Sequence, residues 1–167
     1  QINAGINRAI VSQALEKLDL KKEDTVLDLF CGLGNFTLAI ASQAGEVVGV
    51  EGSEEMVRRG YENASANEIN NVKFFAANLA ESMANKEWGS VKFNKVLIDP
   101  PRSGAAEIIE EIAALKAEKI VYVSCNPSTL ARDTASLLSS GYRLISAGVM
   151  DMFPHTTHVE SMAEFEL

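Results

Sequence analysis

Residues 119–133, KIVYVSCNPSTLARD, take an apolar strand to its carboxyl end, place a thiol there and turn at once into a helix. Residues 119–123 have the length and content of an interior strand, Asn126-Pro127-Ser128 breaks it, and the helical run extends from Ser128 to about Leu138. Such strand-then-helix units build an open α/β sheet, in which ligands bind at the carboxyl ends of the strands. Cys125 therefore stands where a nucleophile would face a ligand crevice. Taken alone, a cysteine is more often a small buried hydrophobe.

Upstream, the same arrangement recurs. Residues 25–30, TVLDLF, form a strand that runs into Cys31-Gly32-Leu33-Gly34-Asn35 and a helix over residues 36–43. Gly32 and Gly34 let the backbone approach a ligand, and the helix start behind them favours a polar or anionic group. The pattern is G-x-G-x-x-T, an incomplete dinucleotide fingerprint. A second strand, residues 46–50, ends in Glu51, 19 residues after Gly32. An acidic side chain there can accept both hydroxyls of a ribose, in NAD as in S-adenosylmethionine, and these two elements do not choose between them. Ser53 can cap the next helix, with Met56, Val57 and Tyr61 on its inner face. A third strand, residues 72–77, ends in Asn78, whose carboxamide could bond an adenine edge or close an Asx-turn.

The fourth strand, residues 96–98, ends in Asp99-Pro100-Pro101-Arg102-Ser103-Gly104. Two prolines fix φ twice and deny the backbone a helical start, so the loop is stiff and presents Asp99 and Arg102 at the crevice. A helix over residues 105–115 follows, its Glu107, Glu110 and Glu111 reading as a solvated face. Residues 6–18 form an amphipathic helix that covers the sheet, and Trp88 and Phe93 read as core or sheet-edge packing. A strand over residues 143–149 leads to a polar loop, and residues 161–167 alternate as an edge strand does. His155 and His158, at i and i+3 in that loop, read as loop hydrogen-bonders, and Glu160 taken by itself is one more surface carboxylate.

At 167 residues the chain is one domain spanning 1–167. It opens at Gln1 with polar residues before a helix and no initiating Met, which reads as a fragment of a longer protein. No apolar run approaches the length of a membrane helix and there is no signal peptide, so a soluble, cytoplasmic protein is expected. Cys31 and Cys125 stand 94 residues apart without zinc spacing, which predicts neither a metal nor a disulfide. With 15 Lys+Arg against 23 Asp+Glu the net charge is −8, so a polyanion would not be held by charge alone.

In order, DLFCGLGNFTL, VEGSEEMV, the Asn78 position, DPPRSG, SCNPSTLARD and DMFPHTTHVESM resemble the RNA uracil-5 methyltransferases that use S-adenosylmethionine. The likeness runs the length of the chain and is greatest to the bacterial enzymes that make 5-methyluridine in 23S ribosomal RNA. It implies a Rossmann-like, seven-strand methyltransferase fold, mostly parallel with an antiparallel last strand and helices on both faces. It also implies that Gln1, Phe30, Asn35, Glu51, Asn78 and Asp99 contact the cofactor beside the Gly32 and Gly34 loop, that Cys125 is the nucleophile and that Glu160 is the general base. Family members add an amino-terminal RNA-binding β-barrel and, in the ribosomal enzymes, a cysteine-bound iron-sulfur cluster, neither of which this sequence contains. The resemblance is thus to a catalytic domain, with RNA as partner and neither a membrane nor a protein partner inferred.

The chemistry asks for the same groups. Carbon-5 of uracil is too poor a nucleophile to attack a sulfonium methyl, whereas a thiolate adding to carbon-6 turns the ring into an enolate that can. A carboxylate must then take the carbon-5 proton. An unperturbed thiol, with pKa ~8.5, is only a few per cent ionised at neutral pH, so local activation of Cys125 is expected. An NAD-dependent dehydrogenase would share the glycine loop and Glu51 but leaves DPPRSG and SCNP unexplained. A non-catalytic RNA-binding scaffold would need neither the thiol nor the carboxylate.

Overall fold

The computed structural model describes residues 4–151 and 159–167. The apolar runs become strands because side chains on both sides of each run find a helix to pack on. β1 (Thr25–Leu29), β2 (Glu46–Glu51), β3 (Val72–Ala76), β4 (Lys95–Ile98) and β5 (Lys119–Ser124) pair in parallel. β7 (Val159–Glu166) runs antiparallel between β5 and β6 (Arg143–Asp151), giving the order β3-β2-β1-β4-β5-β7-β6. Alternation along the strands splits the core in two. Val26, Val47, Leu97, Val121 and Met162 pack under α1 (Ala4–Leu18), α2 (Asn35–Ala41) and α3 (Glu54–Ala66). Leu27, Val48, Ile98, Tyr122 and Phe165 pack under α4 (Ile109–Ala114) and α5 (Pro127–Ser139), with Trp88 and Phe93 in the same cluster. Each fully buried aliphatic side chain contributes about 1.5–3 kcal/mol, so both faces are needed to hold the sheet.

Three local expectations are corrected. The alternation over residues 161–167 predicts an edge strand, yet β7 lies inside the sheet and β6 is the edge. The charges that look solvent-directed are paired: Glu164 accepts from Lys119 at 2.9 Å and from the Ser146 hydroxyl at 3.0 Å, with Lys17 of α1 at 3.5 Å. The helix expected over residues 105–115 is regular only over Ile109–Ala114, because the N–H of Ala105 is drawn to the Asp133 carboxylate at 2.7 Å and the chain there follows a turn. Met56 and Tyr61 are exposed, at 42% and 45%, instead of facing inward. α3 buries Gly60 and Ala64, since the Phe74 ring lies so near Gly60 that an added Cβ would meet it at 3.1 Å.

Of the acidic face, Glu107 and Glu110 are exposed, while Glu111 accepts the N–H of Met83 at 2.6 Å. Among the described residues no helix is long and apolar enough to cross a membrane.

Candidate active site

The parallel strands end along one rim, where the chain must reverse into helices. At the end of β1, Phe30 takes a left-handed φ of 62°, which for a bulky residue costs about 1–3 kcal/mol and persists only when its surroundings over-determine it. Phe30 thereby lines two cavities at once, of about 490 and 560 Å³. Gly34 follows with φ 87° and lies against Phe74, where a Cβ would come within 3.0 Å of the ring. Gly32, at φ 56°, has open space on its Cβ side, so it is conformation that asks for glycine there.

Glu51 ends β2. One carboxylate oxygen accepts the N–H of Gly32 and the other that of Ser53, both at 3.1 Å. A carboxylate has about four acceptor positions, so roughly two remain for a ligand in the smaller cavity, which Glu51 lines with Asn78, Leu79 and Pro101. Asn78 closes an Asx-turn, its Oδ1 accepting the Ala80 N–H at 3.0 Å, and it faces that cavity as well, so the two readings of this residue are compatible. Asn35 opens α2 and exchanges carboxamide hydrogen bonds of 3.0 Å with Asn7 of α1, both beside the larger cavity.

Asp99 ends β4 on the wall of the larger cavity, and burial, followed by the Glu160 carboxylate, pushes its carboxyl up to about 7. Cys125 follows β5, half-buried, at a turn fixed from both sides. The Ser124 hydroxyl donates to the Asn126 carbonyl and accepts from the Asn126 N–H, each at 3.0 Å, while Asn126 caps α5 by accepting the Ser128 N–H at 3.1 Å. Glu160 reaches this turn through register. β5 and β7 pair as far as Ser124 and Ser161, the residues next beyond that last pair are Cys125 and Glu160, and the Glu160 carboxylate acts on the thiol.

Among the described residues, the groups around the thiol raise its pKa on balance. Burial and then the Glu160 carboxylate push Cys125 above its ordinary value, and the Arg102 guanidinium opposes them only in part. Burial also raises the Glu160 carboxyl. Alkylation of Cys125 by iodoacetamide is accordingly expected to rise with pH along a curve displaced above that of free cysteine. A profile displaced to lower pH would mean that the site ionises the thiol after all. Cys31 is buried on the wall of the larger cavity, and burial, then Asp28, then Glu51 push its thiol up.

Gln1 and residues 152–158, which include His155 and His158, lie outside the described residues. Among the described residues three buried acids, Asp24, Asp28 and Asp133, escaped the sequence reading, and Asp24 pairs with Lys95 at 2.9 Å. Asp28, fully buried, accepts the Thr37 hydroxyl at 2.6 Å, and burial pushes its carboxyl up to about 7. Asp133 lies on the buried stripe of α5 with Leu130 and Leu137. An acid recurring at core spacing is the signal that could have found it.

The chain is 58% identical over 166 residues to the 23S rRNA (uracil(1939)-C(5))-methyltransferase RlmD of Vibrio vulnificus, covering 99% of this chain and 38% of that protein. The RlmD of Alcanivorax borkumensis is 57% identical over 166 residues, with 37% of its length covered. The chain thus spans somewhat over a third of the curated relatives it matches. Among solved structures, the Pyrococcus abyssi tRNA (uracil-54, C5)-methyltransferase in complex with S-adenosyl-L-homocysteine superposes with a TM-score of 0.82 at 33% identity, over 98% of this chain and 38% of that one. Because the model of the tRNA (Uracil-5-)-methyltransferase family matches residues 1–165, nearly every position from the glycine loop to the last strand, this chain belongs to that family.

Proposed function

We propose that this chain is the catalytic domain of an S-adenosylmethionine-dependent enzyme that methylates carbon-5 of a uridine in RNA, with 23S ribosomal RNA as the substrate class. The carrying observation is the register of β5 and β7, which sets a carboxylate against the one half-buried thiol among the described residues, with Asp99 in the same field. The names of the curated relatives support the ribosomal substrate.

The residues present fit the cofactor. Glu51 holds acceptor positions free for ribose hydroxyls, and Phe30 stands between a cavity for a nucleoside and one for a more polar chain. When bound, S-adenosylmethionine supplies an electrophilic methyl. Cys125, once its thiol has lost its proton to solvent, adds as a thiolate through Sγ to carbon-6 of the uracil, and the double-bond electrons move toward carbon-5 and the 4-carbonyl, which makes carbon-5 nucleophilic. Once carbon-5 is methylated, Glu160 takes its proton, the double bond reforms, and Sγ leaves as a thiolate. A carboxyl raised by burial suits a base working near neutral pH. The target base must leave its stack at a cost of a few kcal/mol, less in a loop, which favours single-stranded or loop uridines.

The test is incorporation of labelled methyl into 23S ribosomal RNA by this chain carried at the full length of its curated relatives, with the product read as 5-methyluridine by mass spectrometry. Methylation at any other atom would overturn the proposal. Calorimetric titration separates it from dehydrogenase chemistry, with S-adenosylhomocysteine expected to bind and NAD not. Glu51→Ala should weaken that binding by about 1–3 kcal/mol, because a charged acceptor for the sugar is lost together with the brace on Gly32 and Ser53. An unchanged affinity would reduce Glu51 to a structural carboxylate.

A further inference from the structure

The Asp133 carboxylate belongs to no cavity wall and touches no reacting atom in the mechanism above. It is nevertheless the most heavily engaged acid beneath the rim. One oxygen accepts the Tyr122 hydroxyl of β5 and the backbone N–H of Ala105, both at 2.7 Å. The other accepts Arg132 Nε at 2.8 Å, and Arg132 Nη2 donates onward to the Ser103 carbonyl at 2.9 Å. Asn126 Nδ2 donates to the Arg102 carbonyl at 3.0 Å, so the segment 102–105 is docked on α5 by its own backbone. Gly104 records how close that docking is: its φ is +79°, and a Cβ there would lie 2.7 Å from an Asp133 oxygen and 2.5 Å from Arg132 Nη2.

The clamp joins the two loops that carry chemistry. One side holds the end of the Asp99–Gly104 loop, whose two prolines transmit the anchor to Asp99 with little slack. The other holds Tyr122 of β5, three residues before Cys125, and the helix that Asn126 caps. A charge 1% exposed is costly unless fully bonded, and this one receives donors from β5, from the loop and from α5 at once.

We infer that Asp133 is a positioning residue for the reaction, fixing the thiol of Cys125 relative to Asp99 and the cofactor crevice. The inference rests on the functional reading above and adds to it a buried group that acts through other residues. Misplacement by about 1 Å through a distant substitution costs on the order of 100-fold in rate. Asp133→Asn keeps the volume but presents an amide group toward donors, so the clamp loosens, and the Arg132 guanidinium that loses its carboxylate partner is about half exposed to solvent.

The experiment uses this chain carried at the full length of its curated relatives and RNA containing 5-fluorouridine, which has no carbon-5 proton to lose and so holds the Cys125 adduct. Asp133→Asn is expected to slow adduct formation about 10–100-fold while affinity for S-adenosylhomocysteine stays within about threefold. Tyr122→Phe, which removes a single hydroxyl and guards against a failure of the first variant to fold, should slow it several-fold. Unchanged adduct rates in both folded variants would overturn the inference. So would a fall in rate matched by a fall in cofactor affinity and melting temperature, since that describes general destabilisation. If the unsubstituted protein formed no adduct, the functional reading itself would fall and this inference with it.

Discussion

Cys125→Ala is expected to abolish methylation and the covalent RNA complex together, lowering the rate by about 10⁴-fold or more. Without Sγ no bond forms at carbon-6, carbon-5 keeps its aromatic-like lack of nucleophilicity, and a bound cofactor has nothing to methylate. The fold should tolerate the change, because Cys125 is half-buried in a turn whose shape is set by Ser124 and Asn126. Affinity for S-adenosylhomocysteine should therefore persist, which separates loss of chemistry from loss of structure. The measurement is methyl incorporation alongside a denaturing gel for the protein-RNA band. Retained activity would remove Cys125 as nucleophile and leave Cys31, the only other thiol of the sequence and a residue of the larger cavity's wall, as the group to test.

Glu160→Gln is expected to stop the reaction later. Amide replaces carboxylate at nearly the same volume, so thiol addition and methyl transfer can proceed, while removal of the carbon-5 proton slows by about 10²–10⁴-fold. Methylated RNA joined to Cys125 should accumulate and survive denaturing electrophoresis. Removing the Glu160 charge has a second consequence of known sign, because its field is among the influences that raise the Cys125 pKa. In the variant the thiol should ionise at lower pH, so addition should be no slower than in the unsubstituted protein. An absence of adduct from Glu160→Gln would show that Glu160 acts before methyl transfer or merely shapes the turn.

These two outcomes depend on groups that differ in how the sequence displayed them. Cys125 was legible because its local code is complete: an apolar run, a thiol, then Asn-Pro-Ser to end the strand and open the helix. The same holds for Glu51, placed by its distance from the glycine loop, and for Asp99, held by two prolines at a strand end. The assignment of strands was legible for the same reason, since residues buried on both faces must be apolar throughout.

Strand order was not legible. Alternation reports which faces of a strand differ in polarity, not whether a neighbour lies on each side, and Glu164 and Glu166 mimic solvent exposure while bonded to Lys119. Placing β7 between β5 and β6 is what brings Glu160 to Cys125, and that register depends on contacts between segments far apart in the chain. Asp133 was hidden similarly, because one charge on an apolar stripe gains its meaning from donors on two other segments, β5 and the loop at Ala105. The sequence by itself placed the strand runs, the glycine loop and a cysteine just beyond a strand end, all of which follow from short-range patterns, while the roles given to them came from the family resemblance. Only the tertiary structure decided where β7 lies, what holds the two loops together, and that burial and the Glu160 carboxylate push the Cys125 thiol up, because pairing, desolvation and charge fields belong to the assembled space around a residue.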